Sequence, residues 1–345
     1  MKKKYKVLVI DDASFMTKAI SEILETDPDI EVVGTAKNGL EGLRKIKELR
    51  PDVITLDMDM PVMNGIQAIR HIMIECPLPI VVLSSLFSDG SVTFDALRLG
   101  VVDFVAKPSG AISQDIHSSK QQIINRVKLA DSVQLETIRR IRVSIRDSRA
   151  SLSERYGFHS LDYIIAIGTS LTGPNTFIQL LTTLSPGLPA AVVVVLEISP
   201  KVLPSFVEKF NDFSPWKIEI AREGTVLEQG VSYIHSNLSS LVVGVNEDGN
   251  PCLHLGDPVG SPLDLFFSSA SDVFKKQTVG VLLTGCGHDG SDGFARIKEK
   301  SGTTIAQSLE TCVYPNLTDH AIKQNVVDLT VAQDKLVETI ESIIE

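Results

Sequence analysis

Residues 192–200 read VVVVLEISP, and the reading of this stretch decides the architecture. Four valines and a leucine run on without polar alternation, which fits a strand buried on both faces, as in a parallel sheet. The Ser-Pro that follows marks where the run leaves the sheet. Open α/β sheets keep their sites at the carboxyl ends of strands, so Glu197 falls where chemistry is expected.

Similar runs lie on either side: DYIIAIGTS, AAVVVVLE, WKIEIARE, VSYIHS, LVVGV, VGVLLTG, TTIAQ and VVDLTV, with helical patterns between several of them. These predict a doubly wound α/β domain over residues 158–345. Upstream, YKVLVI, IEVVGTA, DVITLD, PIVVLSS and DFVAKP alternate with helical patterns, predicting a five-unit (βα)5 domain over residues 1–125. Between the two, NRVKLADSVQLETIRRIRVSIRDSRASLSER is charged, free of Gly and Pro, and apolar only at helical spacing, so residues 126–157 are expected to form a helical linker. No internal repeat or low-complexity tract interrupts this order.

Composition narrows the function classes. The 345 residues are 43% hydrophobic, enough for two packed cores. A net charge of -10 argues against a nucleic-acid backbone as partner. The four cysteines, Cys76, Cys252, Cys286 and Cys312, are far apart and form no CxxC pair, so neither a disulfide framework nor a zinc site is expected and a reducing cytoplasm fits. No run approaches the ~18 apolar residues that a spanning helix needs, and the protein is expected not to be membrane-embedded.

Three apolar runs of the first domain end in Asp11 and Asp12, in Asp57, and in Lys107. In a parallel sheet those ends converge. Crowded carboxylates repel unless a cation sits among them, and hard oxygen ligands suit Mg2+. An aspartate that accepts a phosphoryl group needs such a metal, a lysine for the transferred charge, and a small hydroxyl such as Ser84. The plainer alternative is that each aspartate caps a following helix.

VLVIDDASFM, LDMDMPVMNG, VVLSS and DFVAKP together resemble the receiver domain of two-component response regulators, over roughly residues 5 to 125. The resemblance implies metal binding by Asp11, Asp12 and Asp57, phosphorylation of Asp57, switch roles for Ser84 and Phe104, phosphate pairing by Lys107, and a sensor histidine kinase as phosphodonor. Phe104 reads equally well as an ordinary core residue.

In the second domain, AIGTSLTGP sets Ser170 just after an apolar strand, between glycines at a helix start. Alone it reads as a cap, a phosphate-binding turn or a nucleophile. LLTGCGHDGSDG sets Asp289 in a glycine-rich turn that also serves simply to reverse the chain. The order of AIGTSLTGP, LEISPKVLPSFVEKF, VSYIHS, SPLDLFF, LLTGCGHDGSDG and TIAQS resembles the catalytic domain of chemotaxis methylesterases of the CheB type. That family hydrolyses glutamate methyl esters on chemoreceptors, often deamidates receptor glutamines, and uses a serine-histidine-aspartate triad without a cofactor.

The resemblance makes Ser170 the nucleophile and Asp289 the acid, and it puts Glu197 at the histidine position. The family's Gln-His-Met-Pro-Pro aligns without gaps on Leu196, Glu197, Ile198, Ser199 and Pro200. Imidazole shuttles a proton near neutral pH, whereas a carboxylate of reference pKa about 4.3 is a poor acid there. Burial and Asp289 are two means of raising the Glu197 pKa, which would allow a weak Ser-Glu mechanism. His288 and His235 are the other imidazoles near in sequence, each also readable as a surface or packing residue. A Ser170–Glu197–Asp289 relay is therefore one expectation, and an esterase-like domain that only binds is the other.

Overall fold

A computed structural model describes residues 4–84, 90–107, 114–131, 160–170 and 173–344, which form two compact units, one before and one after residue 141. In the first, β1 (Tyr5–Ile10), β2 (Ile30–Ala36), β3 (Val53–Leu56), β4 (Ile80–Ser84) and β5 (Asp103–Ala106) form one parallel sheet in the order β2-β1-β3-β4-β5. The helices are α1 (Ser14–Leu24), α2 (Gly39–Leu49), α3 (Gly65–Glu75), α4 (Gly90–Arg98) and α5 (Gln114–Asp131). This is the (βα)5 arrangement expected from the alternation of runs. Local chemistry sets the helix starts: the Asn38 side chain accepts from Glu41 N–H, and Asn64 and Gln67 form a reciprocal capping box.

The last helix corrects one boundary. It continues past residue 125 to Asp131, with Val127 and Ala130 fully buried and Lys128 paired to Asp27 and Asp29 at 3.0 and 3.2 Å. Its apolar spacing was read as linker, yet this turn packs on the first unit. The remaining expected linker, residues 132–157, lies outside the described residues.

The second unit holds a seven-stranded parallel sheet in the order β14-β13-β12-β6-β7-β9-β8. Its strands are β6 (Tyr163–Gly168), β7 (Ala190–Leu196), β8 (Lys217–Ile220), β9 (Val231–Ser236), β12 (Thr278–Leu282), β13 (Thr303–Gln307) and β14 (Leu329–Val331). β7 is the valine run, and every one of its residues is buried. The helices are α6 (Gly173–Thr183), α7 (Leu203–Asn211), α8 (Pro262–Phe274), α9 (Ser291–Glu299), α10 (Asn316–Lys323) and α11 (Leu336–Ile344).

LVVGV departs from expectation. It belongs to β10 (Ser240–Val245), which pairs antiparallel with β11 (Pro251–Gly256) in a separate hairpin. Leu241 and Val243 turn into the core while Val242 and Gly244 between them are only half-buried, and such alternation belongs to a sheet with one wet face.

The order of strands reverses twice. In the first unit the reversal lies between β1 and β3, in the second between β6 and β12. A crevice for ligands is expected beyond the carboxyl ends of the strands at each such switch point.

Candidate functional site

At the first switch point, Asp11 and Asp12 follow β1, Asp57 follows β3, and Lys107 follows β5. Asp57 and Asp11 are buried, and Asp12 is exposed. Lys107 Nζ lies 2.6 Å from Asp11 Oδ2 and 2.9 Å from Asp57 Oδ2. Met58 N–H donates to Asp57 Oδ1 at 2.8 Å, and Ala13 N–H to Asp11 Oδ1 at 3.0 Å. Burial, opposed by Lys107, holds the Asp57 carboxyl above its usual range. Burial alone would depress the Lys107 ammonium, but its bonds to Asp11 and Asp57 override this and raise it.

One ammonium faces three carboxylates here. Their oxygens lie within 4.8 Å of one another, while the ligands of an octahedral Mg2+ stand about 3 to 4 Å apart, so little movement would gather them round one ion. The donors are all hard oxygens. The set fits Mg2+, with Asp11, Asp12 and Asp57 as its holders. Ser84 closes the site from β4, where its carbonyl accepts from Lys107 N–H at 3.0 Å. Phe104, on β5, is half-buried and packs against the core of this unit.

At the second switch point, Ser170 follows β6. Its Oγ accepts from Cys286 N–H at 2.8 Å and donates to the Cys286 carbonyl at 3.1 Å. The loop after β12 approaches so closely because residue 285 is glycine, where a Cβ would lie 2.5 Å from Ser170 Oγ.

Asp289 is turned elsewhere. Its Oδ2 accepts from Leu263 N–H at 2.9 Å and its Oδ1 from Asp264 N–H at 3.0 Å. Those donors belong to the first turn of α8, whose leading N–H groups have no partner within the helix. Asp264 returns the arrangement, its Oδ1 accepting from Gly290 and Gly293 at 2.9 and 2.8 Å at the start of α9. Two carboxylates thus cap each other's helices across the loop. Burial, with neighbouring Asp264 adding to it, raises the Asp289 pKa to about 6 against the opposing pull of these N–H groups.

Glu197 stands half-buried just beyond β7, beside the carboxyl end of β6. The expected relay is absent: among the described residues Ser170 hydrogen-bonds Cys286 and both Asp289 oxygens serve α8, so neither is bonded to Glu197. The two other imidazoles are also engaged apart from Ser170. His235 is buried on β9, its Nε2 3.2 Å from the Ser239 carbonyl and 3.1 Å from Ser239 Oγ, and burial depresses its pKa. His288 is exposed and packs edge-on against His320, with ring centres 5.6 Å apart.

Sequence reading singled out neither Asp264 nor the Cys286 main chain. Asp264 was signalled by Ser-Pro-Leu-Asp, a helix start with Pro in the first turn and an acid beside it. The backbone groups of Cys286 left no sequence signal beyond their glycine neighbours.

Comparison with known proteins bears on both sites. Residues 7–117 match the family model described as response regulator receiver domain, and residues 165–340 the one described as CheB methylesterase. A protein-glutamate methylesterase/protein-glutamine glutaminase of Pyrococcus horikoshii is 34% identical, the match covering 100% of this chain and 95% of that one. Its counterpart in Geobacillus kaustophilus is 36% identical over 99% of both chains. The crystal structure of the Thermotoga maritima CheB methylesterase catalytic domain superposes with a TM-score of 0.50 at 26% identity, covering 53% of this chain and 98% of that one.

Proposed function

The chain belongs to the CheB methylesterase family, with a response regulator receiver domain ahead of the esterase domain, and from this premise we propose that it is a phosphorylation-controlled chemotaxis regulator with a weak or silent esterase. On this reading the receiver runs to Asp131 and the esterase-like domain covers residues 158–345. A cytoplasmic histidine kinase donates the phosphoryl group, and chemoreceptor glutamates are the surface that the second domain meets.

In the receiver, Asp57 accepts the phosphoryl group. Asp11, Asp12 and Asp57 would hold a Mg2+, which would supply charge neutralisation for the phosphoryl oxygens. Lys107, already within 2.9 Å of Asp57 Oδ2, follows the new charge, and the Ser84 hydroxyl answers it from β4. Phe104 carries the change outward along β5.

In the esterase-like domain, no proton carrier among the described residues is bonded to Ser170. The observation that carries the proposal is the set of bonds at Ser170: its hydroxyl proton is directed at a main-chain carbonyl, and among the described residues no imidazole or carboxylate is hydrogen-bonded to it. In a comparable triad, removing the histidine costs on the order of a million-fold in turnover. The second reading, a slow hydrolase with Glu197 as base, is favoured by the position of Glu197 beside the carboxyl end of β6.

Methanol release from methylated chemoreceptor separates the two. The natural protein, Ser170→Ala and Asp57→Asn are compared with and without a small-molecule phosphodonor. Equal background release from all three is expected. Turnover that depends on Ser170 would establish the hydrolase instead.

A further inference from the structure

The hairpin β10–β11 carries a second constellation of reactive groups, remote in sequence from Ser170 and Asp57. Cys252 and His254 are two residues apart on β11, so both side chains leave the same face of the strand. Cys252 Sγ lies 3.3 Å from His254 Nε2. The other ring nitrogen, Nδ1, lies 2.8 Å from Glu223 Oε1, and the second Glu223 oxygen accepts from Leu255 N–H at 2.6 Å.

This is a thiol, an imidazole and a carboxylate in one hydrogen-bonded line. The ring is seated on glycine: Gly244 lies opposite Cys252 in the ladder, and a Cβ there would stand 2.8 and 2.9 Å from His254 Cδ2 and Nε2. With Glu223 holding Nδ1 as the proton-bearing nitrogen, the lone pair of Nε2 is turned to the sulfur.

Such a line has three possible uses, as a nucleophile, a structural hydrogen bond or a cation site. A nucleophilic thiol needs exposure and a depressed pKa. Cys252 is only 1% exposed, and burial, with Glu223 adding to it, raises its pKa. A purely structural hydrogen bond would need neither Glu223 nor a fixed ring tautomer. A soft cation needs both of these: a histidine ligand whose far nitrogen is oriented by a carboxylate, and a sulfur next to the near one.

We propose that Cys252 Sγ and His254 Nε2 are ligands for a Zn2+-class cation, with Glu223 as the residue that orients the imidazole. In a tetrahedral zinc site with Zn–S about 2.3 Å and Zn–N about 2.05 Å, sulfur and nitrogen stand roughly 3.5 to 3.6 Å apart. The pair at 3.3 Å needs to open by only a few tenths of an ångström. The cation takes the place of the thiol proton, which passes to solvent as the Cys252 sulfur becomes thiolate. Two protein ligands leave further positions for water or for a donor from outside, so the site is exchangeable rather than a structural zinc knot.

Co2+ reports on the proposal, because thiolate coordination adds a near-ultraviolet charge-transfer band that oxygen ligands do not give. The full chain is titrated with Co2+ in excess Mg2+, which keeps the acidic receiver pocket filled. A band saturating at one equivalent is expected, reversed by competing Zn2+. It should vanish in Cys252→Ser and in His254→Gln. In Glu223→Gln it should persist with affinity reduced roughly 10- to 100-fold, as for other carboxylates behind a ligating histidine. His254 is nearly half exposed, so that variant keeps the test decisive should Cys252→Ser fail to fold. Absence of the band in the natural protein, or its survival in folded His254→Gln, would overturn the proposal.

Discussion

Glu197→Ala would only remove a group, whereas Glu197→His asks whether the remaining cleft can use a base. The size of the gain follows from the geometry. In a comparable triad, losing the histidine costs roughly 2 × 10^6 in kcat and losing the acid alone roughly 3 × 10^4. An imidazole restored without an orienting acid is therefore worth the ratio, roughly 70-fold. Asp289 is such an unavailable acid, since both its oxygens are spent on Leu263 and Asp264. Ser170 must also give up its bond to the Cys286 carbonyl, a loss of about 1 kcal/mol or roughly five-fold. The expected gain is thus roughly 10- to 100-fold over the natural protein. Methanol release from methylated receptor measures it, with Glu197→His/Ser170→Ala as background. A gain above roughly 10^4-fold would show that Asp289 abandons α8 to serve the new ring, and no gain in a folded variant would show that more than the base is missing. Either result refutes the reasoning.

Lys107→Ala leaves Asp11 and Asp57 buried without their counter-charge, and in metal-free buffer it should destabilise the first unit by about 3 kcal/mol or more. Saturating Mg2+ should restore most of that loss in thermal melts, and a variant indifferent to Mg2+ would count against a cation among these carboxylates. Asp289 gives a pH signature. Its folded pKa of about 6 exceeds the ordinary 3.8, so its contribution is fullest when protonated, at low pH, and is lost as pH rises through about 6. The melting temperature of the natural protein relative to Asp289→Asn should therefore fall between about pH 4 and about pH 6, and the opposite slope would sink the assignment.

The fold was legible because burial on two faces leaves a compositional trace. β7 and the runs YKVLVI and VGVLLTG could be read as parallel strands since nothing in them alternates. The end of α5 was not legible: residues 126–131 are charged and helical whether they pack on a sheet or bridge two domains, and only the burial of Val127 and Ala130 separates the cases. β10 misled for a related reason, since Leu-Val-Val-Gly-Val is too short for its two faces to differ in composition. At the first site, the strand-end residues Asp11, Asp57 and Lys107 meet across the sheet, as parallel neighbouring strands require. The hydrogen bonds of Ser170 were not legible, because Cys286 acts through backbone groups that every residue type carries.

Asp289 also bears on how far an intact residue testifies to an intact activity. A carboxylate kept only to orient an imidazole would have no remaining use if, as proposed, Glu197 stands at the imidazole's position, and with Asp264 beside it the charge is a liability. Here it has a second occupation, capping the first turn of α8 while Asp264 caps α9. Removing it would strand two N–H donors at a half-buried helix start, at about 1 kcal/mol or more each. The acid is thus held in place by the fold whether or not the serine turns over, so the family's aspartate at this position carries little weight as a sign of catalysis. The serine and the base position are where the decision lies.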